Sequence, residues 1–262
     1  MEDKNLSGFI SYLASRGLSE NSIRAFSSDI KEYLEFNGSP VEWFNALREK
    51  GLTNKTLARK RSSLSIYFKF LGMDVELPKI KPEEKLPVVL SEVEAKALLE
   101  SSTKTRNPNR DRLIVELLLK AGLRLSELLN LKVSDIEEER DITFLKINQG
   151  KGKKDRRVPL VDKHLVKNLK SYIKKLDGDE KLFNISPRRV QYLIKEIAKK
   201  AGITKNIHPH TLRHTSATLY LKKGVNIESV RKTLGHKSLS TTQRYLQLTD
   251  FDVAEDLAKA RW

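Results

Sequence analysis

Three prolines stand close together in the stretch Leu77-Pro78-Lys79-Ile80-Lys81-Pro82-Glu83-Glu84-Lys85-Leu86-Pro87 of this 262-residue chain. Each proline removes a backbone donor and disfavours the α region for the residue before it, so no helix can run through. The stretch reads as an extended linker over 78–87, which divides the chain into 1–77 and 88–262. The first part looks all-helical. Leu6, Phe9, Ile10 and Leu13 recur at helical spacing, as do Ile23, Phe26, Ile30, Tyr33 and Leu34 after Ser19. Trp43, Phe44 and Leu47 mark a shorter helix, and Thr53 precedes one carrying Leu57, Leu64, Tyr67, Phe68 and Leu71. The expectation is a bundle of about four helices, the last turning Lys55, Arg59, Lys60 and Arg61 outward.

The second part is mixed. Ser91-Glu92-Val93-Glu94 is a capping box, and an apolar helix follows at about 109–121 and stops at Gly122. Ile142-Thr143-Phe144-Leu145-Lys146-Ile147 is rich in strand formers, with Arg156-Arg157-Val158-Pro159-Leu160 as its hairpin partner. Helices resume near 161–176, at Ser186-Pro187 through Lys200, and at about 209–223, 226–234 and 240–248. The fold class is therefore mainly α with a small β-sheet: an all-helical N-terminal domain and a mixed α/β second domain.

Charge narrows the partner. Lys and Arg total 50 against 34 Asp and Glu, a net +16, and residues 1–82 hold only 13 of the basic and 10 of the acidic side chains. Most of the excess sits in the second domain and favours a polyanion, nucleic acid before an anionic membrane. No apolar run approaches the roughly 18 residues of a bilayer span. Met1-Glu2-Asp3-Lys4 is acidic, unlike a secretory leader, and the absence of cysteine excludes disulfides, thiol nucleophiles and thiolate metal sites. The expectation is a cytoplasmic protein.

Four local patterns could carry chemistry. Ala121-Gly122-Leu123-Arg124-Leu125-Ser126-Glu127-Leu128 places an arginine just beyond a helix end, with Glu127 three residues on as an ordinary helix partner. Taken alone, Arg124 reads as a surface or ion-paired arginine. Gly150-Lys151-Gly152-Lys153-Lys154-Asp155-Arg156-Arg157 is a basic turn, either a phosphate contact or a solvated hairpin tip. In Ile207-His208-Pro209-His210-Thr211-Leu212-Arg213-His214, proline fits the first helical turn and puts His210 and Arg213 on one face near the positive helix end. His210 and His214 also have the i, i+4 spacing of two zinc ligands, but Arg213 between them would repel a cation, so His214 reads as core-facing and hydrogen-bonded. The fourth pattern, Leu234-Gly235-His236 through Ser240, Gln243, Arg244 and Tyr245, reads alone as a helix-turn-helix with a packed tyrosine.

Their order is more informative than any one of them. Arg, then Gly-Lys-Gly, then His-x-x-Arg, then Leu-Gly-His followed nine residues later by Tyr resembles the tyrosine recombinases, and the archaeal type of the Xer branch in particular. The resemblance covers nearly the whole chain, with no departure at a catalytic position. It implies a core-binding domain over 1–77 and a catalytic domain over 88–262 that clamp duplex DNA. It implies Tyr245 as nucleophile, forming a 3′-phosphotyrosine, and Arg124 and Arg213 as clamps on the phosphate. Lys151 becomes the general acid, His210 the acid/base partner of the phenol, and His236 an orienting group. Glu127 supports Arg124, and Lys55, Arg59, Lys60, Lys153, Lys154 and Arg156 contact DNA. No metal or other cofactor is implied, since arginines supply the positive charge.

The implied partners are double-stranded DNA with a dif-like site, for chromosome-dimer resolution, and three further copies of the chain in a homotetramer on two sites. A type IB topoisomerase-like relaxase and a mobile-element integrase are the alternatives with the same residues; a non-enzymatic regulator using 226–248 is the alternative without them. Phe251, Val253, Ala254, Leu257, Ala258 and Trp262 form an apolar stripe, expected to dock on the same or a neighbouring subunit.

Overall fold

The computed structural model describes residues 2–81, 87–148, 155–236, 238–243 and 245. Lys151, Lys153 and Lys154 and the stripe from Phe251 to Trp262 lie outside the described residues. The chain falls into two compact units, Met1–Lys85 and Leu86–Trp262.

In the first unit four helices, α1 (Glu2–Ser15), α2 (Glu20–Phe36), α3 (Pro40–Glu49) and α4 (Asn54–Phe70), follow one another. Ser19, Ser39 and Thr53 cap α2, α3 and α4, each accepting from a backbone N–H three residues on. Phe9, Leu13, Ile30, Trp43, Phe44, Leu47, Leu57 and Leu64 fill the core. Inside it lies an ionic cluster between α2 and α4. Buried Asp29 accepts from Lys60 Nζ at 3.1 Å, from Ser63 Oγ at 2.7 Å and from Arg59. Lys60 also donates to Glu32 at 2.6 Å and sits 5.3 Å from the Trp43 ring centre. This corrects the expected outward-facing row: Lys60 is 4% exposed and points into the bundle, because buried Asp29 and half-exposed Glu32 supply counter-charges there. Lys55 and Arg59 remain exposed, and Arg61 donates from Nε to the Pro78 carbonyl at 2.8 Å.

The second unit is built around two helices that are buried on most of their circumference, α6 (Pro108–Leu119) and α10 (Pro209–Lys222), as expected where a helix is packed on several sides. Around them run α5 (Glu92–Ser101), α7 (Leu125–Asn130), α8 (Lys163–Ile173), α9 (Pro187–Lys200), α11 (Ile227–Leu234) and the short α12 (Leu239–Gln243). The sheet has three antiparallel strands in the order β1 (Ile136–Glu139), β2 (Ile142–Ile147), β3 (Arg156–Leu160). The β2–β3 hairpin was expected, with Leu145 opposite Val158 and Ile147 opposite Arg156. β1 is an addition. Its three consecutive glutamates hide the strand signal, and Arg157 of β3 instead bridges to Glu137 at 2.9 Å and Glu139 at 2.7 Å.

Candidate active site

Helix ends converge here. α6 runs out at Gly122, whose φ of +62° suits glycine, and an added Cβ would collide with Leu234. Two residues later Arg124 stands at the N-cap position of α7. Glu127, on the first turn of α7, accepts from the Arg124 backbone N–H at 2.8 Å and from its Nη1 at 2.6 Å. The same carboxylate accepts both ends of the Arg156 guanidinium, Nη1 at 2.8 Å and Nη2 at 2.9 Å. Arg213, from α10, approaches it at 3.9 Å. One carboxylate thus holds three arginines.

Backbone carbonyls fix the rest of each fork. Arg124 Nη2 donates to Gly235 O at 2.8 Å, and Arg156 Nε donates to Thr233 O at 2.9 Å. Arg213 donates to Gly122 O at 2.5 Å and to Leu234 O. The Thr233, Leu234 and Gly235 acceptors belong to the end of α11, where carbonyls lack intrahelical partners and carry the negative pole of the helix, and Gly122 lies in the turn just beyond α6. Burial alone would raise the Glu127 carboxyl, yet hydrogen bonds and charge from Arg156 and then Arg124 prevail and pull it down to about 2. Burial and the nearby Arg124 push Arg213 down to about 9, against the pull of Glu127, so it remains a cation at neutral pH. Three positive charges against one negative leave an anion-attracting excess. Arg124 is the most accessible of the three, its side chain 32% exposed beside a cleft of about 360 Å³ that Asn130, Asp135, Lys146 and Asn148 also line.

Tyr245 arrives from the other side. It is 3% exposed and packs with Ala217, Val230 and Leu234. His236 stacks on its ring at 6.1 Å and 27°, with Nδ1 held 2.9 Å from Thr242 Oγ1. Burial first, then Arg213 and Arg124, depress the His236 imidazole to about 4, so it is neutral at pH 7. The phenol oxygen lies 2.7 Å from Nδ1 of His214. His210, one turn earlier on α10, is exposed; partial burial and then His208, Arg213 and Arg124 lower its pKa.

The structure therefore gathers Arg124, Glu127, Arg213, His236 and Tyr245, five residues separated by up to 121 positions in sequence. Two placements differ from the sequence reading. Arg156, expected to touch DNA, has a side chain only 9% exposed and spends its donors on Glu127 and Thr233. His214, expected to face the core and to be hydrogen-bonded, is half-buried and does make a hydrogen bond, but to the Tyr245 phenol, which the sequence reading paired with His210. The i, i+4 spacing did put both histidines on one face of α10; which of them meets Tyr245 depends on a contact across 31 residues. Among the described residues no group of three His, Asp or Glu side chains could hold a metal ion, and no helix is long and apolar enough to cross a membrane.

The chain matches two family models: the phage integrase family over residues 88–251 and the phage integrase N-terminal SAM-like domain over residues 6–73. It is 38% identical over 268 residues to tyrosine recombinase XerA of Thermococcus onnurineus, covering 95% of this chain and 93% of that one. A crystal structure of XerA recombinase aligns over 100% of this chain and 99% of its own, at 31% identity and a TM-score of 0.58. The fold also matches a lambda integrase tetramer bound to a Holliday junction, with a TM-score of 0.75 at 20% identity, over 93% of this chain and 76% of that one.

Proposed function

The chain belongs to the phage integrase family and is a tyrosine-type site-specific recombinase; from that premise we propose that it cleaves and rejoins duplex DNA through a 3′-phosphotyrosine on Tyr245. The observation that carries this reading is the buried phenol. Its hydroxyl is held at 2.7 Å by one histidine and its ring is stacked by another, within the field of Arg213.

In this mechanism the Tyr245 oxygen attacks phosphorus, the new Oη–P bond forms and the P–O5′ bond breaks. The phenol proton passes to a base, and the leaving 5′-oxygen takes one from Lys151. Bond energy is retained in the phosphotyrosine, so the free 5′-hydroxyl of the same or another strand reverses the step without ATP. Arg124 and Arg213 hold the non-bridging oxygens as their charge grows, and planar forks already pinned by carbonyls reorganise little in doing so. His210, beside both arginines and shifted toward its neutral form, adds a hydrogen bond to the same oxygens. Glu127 and Arg156 fix the arginine geometry.

The substrate in this reading is double-stranded DNA with a dif-like site, bound by four copies of the chain on two sites, and the task is resolution of chromosome dimers. The likeness to the tyrosine recombinase XerA over 95% of the chain supports a recombinase, and the DNA-bound lambda integrase tetramer supports duplex binding by four copies. The test is to trap covalent adducts on sheared genomic DNA of the source and map them. A single strongly cut chromosomal locus, with recombinants between two cloned copies of it, supports the proposal. Adducts confined to mobile-element ends indicate an integrase. Relaxation of supercoiled plasmid without site dependence indicates a topoisomerase.

A further inference from the structure

We propose that His214, rather than His210, is the general base that takes the proton from Tyr245. The proposal rests on Tyr245 being the nucleophile. A phenol with an ordinary pKa of about 10 is ionised in only about one molecule in a thousand at neutral pH, so an acceptor in contact with the hydroxyl is required. His214 Nδ1 is that contact, at 2.7 Å, within the range of a well-formed hydrogen bond. The two rings are 5.5 Å apart and inclined by 44°, so they meet through this bond and not by stacking.

The other histidines have other work. His236 carries the stacking contact, and its Nδ1 is engaged by Thr242 Oγ1. His210 sits in the first turn of α10, while His214 lies one turn further along the same face, about 6 Å by helical rise. That division places His210 at the arginines and His214 at the buried tyrosine. The charged and titratable groups at this site include Arg213 and His210 on α10, Arg124 and Glu127 at α7, Arg156 on β3 and His236 after α11; of these, Arg213 acts electrostatically on Tyr245, and His214 and His236 are in reach of each other. The Arg213 cation favours a phenolate.

The step balances. The Oη–H bond breaks, its proton moves to Nδ1, and the electron pair freed on Oη forms the bond to phosphorus. The P–O5′ pair leaves with O5′, which is protonated by Lys151. In the reverse step imidazolium returns the proton to the leaving phenolate. The base has to be uncharged before the forward step, so cleavage must fall on the acid side of the pH profile as His214 becomes protonated.

Two measurements on the full chain test this. The first follows covalent adducts on sheared genomic DNA of the source, as rate against pH, for the wild type, His214→Asn and His210→Asn. Asparagine at 214 can still donate a hydrogen bond near the Nδ1 position but takes no proton. The expected result is a loss of about 10²–10⁴-fold for His214→Asn with the acid-side fall abolished, and retention of that fall in the slower His210→Asn. Near-normal cleavage by His214→Asn, or loss of the acid-side fall only in His210→Asn, overturns the inference. Absence of any wild-type adduct overturns the nucleophile assignment along with it.

The second measurement needs no DNA. The ¹³Cζ signal of Tyr245, identified by its loss in Tyr245→Phe, should shift as an imidazole titrates, and His214→Asn should remove that inflection. A signal insensitive to both pH between 5 and 8 and His214→Asn overturns the contact itself.

Discussion

Glu127 has the most connections of any side chain at this site, and its removal has a defined pH signature. Its carboxyl is held near 2 against an ordinary 4.5, so its contribution to stability is fully present above pH 4.5 and is lost as pH falls through about 2. Glu127→Gln leaves Arg156 without its buried counter-charge, and breaking such a pair costs about 3–5 kcal/mol. The expected outcome in thermal melts is a large deficit at pH 7 that closes between pH 4.5 and 2; a deficit independent of pH would contradict the ionic role. His236 adds to the acid lability from higher pH, because its stabilising neutral form is lost as pH falls from 6.5 through about 4.

Residue identity alone misassigned two cations. In sequence Lys60 and Arg156 sit within basic runs and resemble phosphate contacts, whereas each is committed to a carboxylate at least 28 positions away. Lys60→Met should therefore lower the denaturant midpoint while leaving the salt dependence of DNA binding unchanged. A reduced salt slope with unchanged stability would return Lys60 to the DNA surface.

At the scale of elements, the site is made by helix ends. Gly122 in the turn after α6 and Gly235 at the end of α11 both lie in the left-handed region, and their carbonyls hold Arg213 and Arg124. A Cβ on Gly235 would lie 2.9 Å from Arg156 Cδ and 3.0 Å from its Nε. Gly235→Ala should cost roughly 1–2 kcal/mol from backbone conformation alone and also displace Arg156, lowering the cleavage rate more than the loss of folded protein explains. Denaturant melts and adduct rates on the same preparation check this; equal wild-type values for both would contradict it.

Local rules made most elements legible. Ser19, Thr53, Ser91 and Ser186 each cap a helix, and Gly122, Gly202 and Gly235 follow helix ends with positive φ. What escaped was governed by distant partners. β1 reads Ile-Glu-Glu-Glu and depends on Arg157; its only local signal is the tight turn at Arg140 and Asp141, both at positive φ. α7 was visible only as the stretch joining Arg124 to Glu127. The order Arg124, His210, Arg213, His236, Tyr245 that carries the family resemblance was legible, but the meeting of His214 with the phenol was not, since nothing near α10 specifies where Tyr245 docks.

For the whole molecule, a net +16 and two units joined by a proline-rich stretch fit a protein that grips a polyanion electrostatically and acts on it at one place. Affinity should fall by about 0.9 in log K per phosphate contacted for each unit of log salt, whatever the sequence bound, whereas cleavage in the proposed mechanism should depend on a single hydroxyl. The most direct measurement is mass spectrometry of the full chain after incubation with sheared genomic DNA of its source, denaturation, and digestion by nuclease and protease. The expected product is a nucleotide joined through its 3′-phosphate to the peptide carrying Tyr245, absent in Tyr245→Phe, with a free 5′-hydroxyl on the other side of the cut. An adduct on another residue, a 5′-linked adduct, or one that persists in Tyr245→Phe would contradict the proposed mechanism.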